Sequence, residues 1–145
     1  MDFHHPMERS HEIDHGHGPF VANIPHAARN NQNFRSTFWT GRHLQMTLMC
    51  IPVCGDIGVE VHPDTDQFIR VESGKALVRT GACRENLDST HRLGAGDGVF
   101  LPCGTWHNVL NAGNCPLMLS SIYAPPQHPK GTAHRTKVDA EDEEH

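Results

Sequence analysis

The side chains with the most to offer chemically are a carboxylate and imidazoles at short spacings. Glu60 and His62 stand two residues apart, so on an extended chain they share one face. Gln67 opens the next run, with Ile69 and Val71 following it on its own face. His107 comes much later, behind a stretch punctuated by Gly96, Gly98, Pro102 and Gly104. Two imidazoles, one carboxylate and one amide oxygen form a borderline-to-hard donor mixture that, if gathered, suits Zn, Mn, Fe, Co or Ni. Asp66 competes with Gln67 as an oxygen donor, but it faces the other side of the same strand.

Strands and turns must do the gathering. Apolar runs of five to nine residues alternate with Gly, Pro, Asn and Asp clusters across the middle of the chain, which is the punctuation of an all-β domain. The expected strands lie near 38–39, 43–51, 58–62, 67–71, 76–79, 99–101, 108–110 and 116–123, and no sustained helical period is visible among them. Residues 81–93 read as a longer excursion. Pro52 with Gly55-Asp56, Glu72 to Lys75, Gly94 to Gly98, and Asn111 to Asn114 supply the breaks. About eight strands suit a jelly roll or small barrel.

The segment Gly96-x5-Pro102-x-Gly104-x2-His107-x3-Asn111 meets every fixed position of the second cupin motif. Upstream, Glu60-x-His62-x4-Gln67-x6-Gly74 keeps the spacing of the first cupin motif, with Glu in place of the first His and Gln in place of the usual Glu. Gly55 stands in for the leading glycine, one residue nearer than usual. The chain therefore resembles the small single-domain cupins, and in particular short proteins labelled mannose-6-phosphate isomerase-like. The resemblance implies a double-stranded β-helix holding one divalent metal ion on Glu60, His62, Gln67 and His107. Phosphomannose isomerases of cupin type use a Gln-x-His pair, a Glu and a later His, so the donor types agree while Gln and Glu are exchanged.

Residues 1–19 form a histidine-rich arm (His4, His5, His11, His15, His17) with almost nothing apolar, expected to be disordered. Residues 20–125 make the expected cupin domain, with its motif core at 55–111. Residues 126–145 form a polar tail ending in acids, either a short helix near 136–144 or a frayed end. At 145 residues and 37% apolar content there is material for one modest core. The formal net charge of −5 and the lack of a basic run argue against nucleic acid or an anionic membrane as partner. No run approaches the ~18 apolar residues of a membrane span. The five cysteines lack C-x-x-C spacing and read as reduced thiols, so a cytoplasmic protein is expected.

Three functions follow from these readings: a sugar-phosphate isomerase using the metal as Lewis acid, a metal-dependent dioxygenase acting on a small organic substrate, or a non-catalytic sugar or metabolite binding module. The expected ligand is a small molecule, a sugar or sugar phosphate, and the expected state a homodimer. No catalytic base or phosphate clamp is assigned, because Lys75, Arg79, Arg84 and Arg92 flank turns and read as solvated. His26, His43, His91, His128 and His134 are expected at the surface or behind the ligands, and Trp39, Trp106, Phe68 and Phe100 in the core.

Overall fold

Period-two burial is what builds the two sheets. In the computed structural model, which describes residues 14–144, alternate residues of each central strand turn inward. The strands are β1 (Arg35–Thr40), β2 (Gln45–Ile51), β3 (Asp66–Ser73), β4 (Ala76–Gly81), β5 (Ser89–Leu93), β6 (Gly98–Leu101), β7 (Trp106–Asn111), β8 (Leu117–Ala124) and β9 (Ala133–His134). Two helices flank them, α1 (Ile24–Asn30) and α2 (Lys137–Glu144). A six-stranded sheet runs β6-β3-β8-β2-β1-β9 and a three-stranded sheet runs β5-β4-β7. The pairings within them are antiparallel, as the double-stranded β-helix requires.

Register sets which inward residues meet. Val71 pairs with Leu119 and Leu119 with Met49, giving an apolar layer. Val78 pairs with Val109 across the small sheet. One layer away, Gln67 pairs with Tyr123 and Tyr123 with Gln45, while Thr80 pairs with His107. All four of Gln67, Tyr123, Gln45 and His107 are buried. The core cluster, including Ile51, Ile69, Val71, Val78, Val109, Leu117 and Leu119, fills the apolar part of this interior.

Several expectations need correction. Residues 58–62 do not form a strand. The chain from Gly55 to Glu60 does run antiparallel to β7, through Asn111 N to Gly55 O, Ile57 N to Val109 O, and a reciprocal Glu60–His107 pair. At Gly58 (φ +92) the backbone takes the left-handed region that favours glycine, and its N–H bonds the Asn108 side chain instead of the ladder. The excursion at 81–93 contains β5, invisible in the sequence because only Leu93 of that strand is buried. Helix α1 has no period to reveal it in seven residues; its signals are the Asn23 cap, whose Oδ1 accepts from His26 N, and the proline in its first turn.

Both ends are more ordered than their composition implied. Residues 1–13, with His4, His5 and His11, lie outside the described residues, but the arm is anchored from Asp14 onward. Asp14 accepts from Thr40 N and Oγ1 and from Gly16 N, and His15 N donates to Phe38 O. At the other end β9 extends the sheet beside β1, and Ala140 of α2 enters the core cluster. Lys137 pairs with Asp56 and His134 with Glu143. The four aromatics expected in the core are not there: Trp39, Trp106 and Phe68 are half-buried, and Phe100, stacked on Phe68, is 78% exposed.

Candidate metal centre

Each donor arrives on a different local device. His107 enters from β7 just after the turn at Gly104, whose positive φ (+83) allows its N–H to bond His62 O and so ties the two histidine segments together. Glu60 is delivered by the bulged segment after Gly58 and locked opposite His107 by two backbone bonds of 2.9 Å. Gln67 is the first inward residue of β3. Asp66 points outward and accepts from Cys103 N, so strand parity removes it from the interior.

The structure brings Glu60, His62 and His107 together. Their ligand atoms all lie within 4.8 Å of one another. His62 Nε2 is 3.5 Å and His107 Nε2 4.0 Å from Glu60 Oε1; ligands about 2.1 Å from a shared ion sit about 3–4 Å apart, so the three fit one ion. The ring of His107 is fixed by Nδ1, 2.9 Å from Thr105 O. A carbonyl only accepts, so Nδ1 carries the proton and Nε2 presents its lone pair to Glu60.

Buried polar atoms without partners are rare and call for an explanation. Here His62 Nε2, His107 Nε2 and Gln67 Oε1 are all buried with no hydrogen-bond partner. A divalent ion accepting these lone pairs is the group they fit. The Gln67 amide is turned by its Nε2, which donates to Ser121 Oγ at 3.3 Å, leaving the oxygen free.

Electrostatics favour the metal-ready protonation state. Burial pushes the Glu60 carboxyl up, but the neighbouring His62 ring and the charge of Arg35 outweigh it and hold the group below the usual carboxylate value. Burial pushes His107 down, toward the neutral form that ligates.

Three residues went unread in the sequence. Arg35, 2% exposed, places NH2 3.4 Å from Glu60 Oε2. Tyr123, 1% exposed, sits edge-on to His62 at 5.7 Å and to His128 at 5.2 Å. Gln45 uses its whole amide: Oε1 accepts from Gln127 N and His128 N, and Nε2 donates to His128 O and Thr40 Oγ1. That clamp turns His128 inward. Its Nε2 is buried without a partner, and burial first, then the charge of Arg35, lowers its pKa to about 3. His134 is also buried, while His26, His43 and His91 are exposed as expected. A charge opening β1 offered no sign that Arg35 turns inward.

A family model described as the cupin domain matches residues 47–123. The chain is 49% identical over 127 residues to the uncharacterized protein YrkC of Bacillus subtilis, covering 88% of this chain and 68% of that one. The crystal structure of BH2720 from Bacillus halodurans matches with a TM-score of 0.89 and 52% identity, over 90% of this chain and 99% of the other. Oxalate decarboxylase of Bacillus subtilis, a protein with Mn(II) centres, shares the fold at a TM-score of 0.54 and 24% identity, over 61% of this chain and 23% of that one. With the family match spanning more than half of its length, a jelly roll of the right topology, and a histidine–carboxylate cluster inside, the chain belongs to the cupin family.

Proposed function

We propose that this cupin holds one divalent metal ion on Glu60, His62 and His107, with Gln67 as fourth donor, and uses it to isomerise a small hydroxy-carbonyl compound of the sugar type. The observation that supports this best is the convergence of Glu60, His62 and His107, whose ligand atoms lie within 4.8 Å of one another, with both histidine Nε2 atoms buried and unpartnered; Gln67 Oε1, also buried and unpartnered, is read as the fourth donor. When bound, a divalent ion supplies Lewis-acid polarisation of a substrate oxygen, and a redox-active one supplies dioxygen chemistry.

The chain's own residues set the rest. Tyr123 and His128 wall the site, and the Gln45 clamp holds the 127–128 segment over it. Lys75, Arg79, Arg84 and Arg92 are all exposed, so a phosphate clamp gains no support and an unphosphorylated substrate is the better reading. The dioxygenase reading has one observation in its favour: two histidines with one carboxylate is the donor set of many non-haem iron oxygenases.

The five free thiols support a cytoplasmic protein, and among the described residues no helix is long and apolar enough to cross a membrane. The exposed Phe100 stacked on Phe68 supports a homodimer. The test is elemental analysis of protein lacking residues 1–13, purified without added metal, beside the Glu60→Ala variant. One equivalent of zinc or manganese, lost in the variant, with aldose–ketose turnover, is expected. Iron with O2 uptake would replace the isomerase by the oxygenase, and metal retained by the variant would refute the site.

A further inference from the structure

Among the described residues Arg35 is the one fully buried cation facing the metal cluster, and its charge is poorly met. A buried guanidinium is normally held by a bidentate carboxylate at about 2.7–2.9 Å. Arg35 instead has a single contact of 3.4 Å to Glu60 Oε2, and its Nε is buried with no partner. The ring of Phe34, 5.5 Å from the guanidinium carbon, covers it on one side. Glu60 is its only ion-pair partner among the described residues.

That carboxylate is already divided. Oε1 faces both histidine nitrogens, and Oε2 faces Arg35. A divalent ion and a guanidinium together outweigh one carboxylate, so the loaded site carries excess positive charge in a low-dielectric interior, where an unmatched charge is costly. Glu60 is 18% exposed, so the cluster reaches solvent beside it. What would complete the arrangement is a second anion, entering from that side, with one planar oxygen pair shared between ion and guanidinium.

We propose that Arg35 anchors the carboxylate of a small organic acid at the metal centre, so that the hydroxy-carbonyl ligand of this cupin is an acid of the sugar type, a hydroxy- or keto-acid, and not its uncharged counterpart or a phosphate ester. The inference rests on the metal-centre reading and narrows its substrate class. The flat fork of Arg35, with Nε and one remaining edge to offer, matches a planar carboxylate, and the unpartnered His128 Nε2 is available to a hydroxyl group further along the ligand.

Calorimetric titration of the full chain, first with Mn2+ alone and then at saturating Mn2+ with malonate, malonamide or inorganic phosphate, tests it. Malonate is expected to bind at least about tenfold more tightly than its neutral isostere malonamide and than phosphate, and Arg35→Met to lose at least about tenfold in malonate affinity while still binding Mn2+. Arg35→Lys, which keeps the charge and loses the fork, should fall between. Equal binding of malonate and malonamide by the unaltered chain, tighter binding of phosphate, or undiminished malonate binding by a folded Arg35 variant would each overturn the proposal. If the unaltered chain takes up no Mn2+, the metal centre is refuted separately, and the same malonate and malonamide titrations on the metal-free chain still decide whether Arg35 holds a carboxylate.

Discussion

The two ends of the barrel are built on the same strands and do opposite work. At one end Val71, Leu119, Met49, Val78 and Val109 meet in register, all buried and all apolar. Two to four residues along the same strands, Gln67, Tyr123, Gln45 and His107 occupy equivalent inward positions, with Arg35, Glu60 and His62 reaching in beside them. The first end exchanges apolar surface for packing and yields stability. The second leaves buried lone pairs unmet, which costs part of that stability. The difference shows that a small cupin can keep an apolar core and a donor-rich cluster apart along the strand axis, without a second domain.

The separation can be broken by substitution. Leu119→Ala should cost about 2–5 kcal/mol, read by denaturant melts, with metal stoichiometry unchanged; loss of the metal from folded protein would show the ends to be coupled. His62→Ala with His107→Ala should do the reverse. The metal-free double variant should melt within about 1 kcal/mol of the unaltered chain, whereas Mn2+ at a hundredfold its dissociation constant should stabilise the unaltered chain by about 2.7 kcal/mol and the variant not at all.

A third substitution probes the boundary between the ends. Gln45→Leu keeps the side chain buried but orphans the backbone of residues 127–128, so a loss of about 1–3 kcal/mol is expected, together with faster amide exchange confined to that segment. The most gradual effect concerns pH. His128 is held neutral when folded, with its pKa lowered from 6.5 to about 3, so between those values the unfolded chain binds more protons. Stability of the metal-free protein should therefore fall as the pH drops through that window, by at most about 1.4 kcal/mol per pH unit from this residue. His107, also lowered, adds a slope of the same sign. His128→Phe should flatten the melt-versus-pH curve; an unchanged slope would show that the imidazole is not held neutral inside.

Much of this was legible in the sequence because it rests on local chemistry. Glycines and prolines at fixed spacing announced the turns that aim His107, and strand parity separated Gln67 from Asp66 before either was seen in three dimensions. Glu60 and His62 do share the site, although the segment that carries them is bulged, because two-residue spacing keeps side chains together on any extended chain. Arg35, Gln45 and His128 were not legible. Each owes its place to partners 25 to 83 residues away, and no local pattern encodes that. Strand β5 and helix α1 escaped for a related reason: each buries one side chain, Leu93 and Ala28, so hydrophobic periodicity had nothing to report.

The Asn111 side chain carries a consequence for traffic. Its Nδ2 lies within hydrogen-bond distance of Ile51 O, Pro52 O and Cys115 O, while its Oδ1 accepts from Gly113 N. One planar amide thus knots three passes of the chain at the apolar end, and that floor has little freedom to breathe. Anything that enters or leaves the barrel must use the opposite rim, past the segment that Gln45 holds down. The cup is then a vessel with one open side, where Glu60 reaches solvent, and Gln45 keeps the rest of that rim in place.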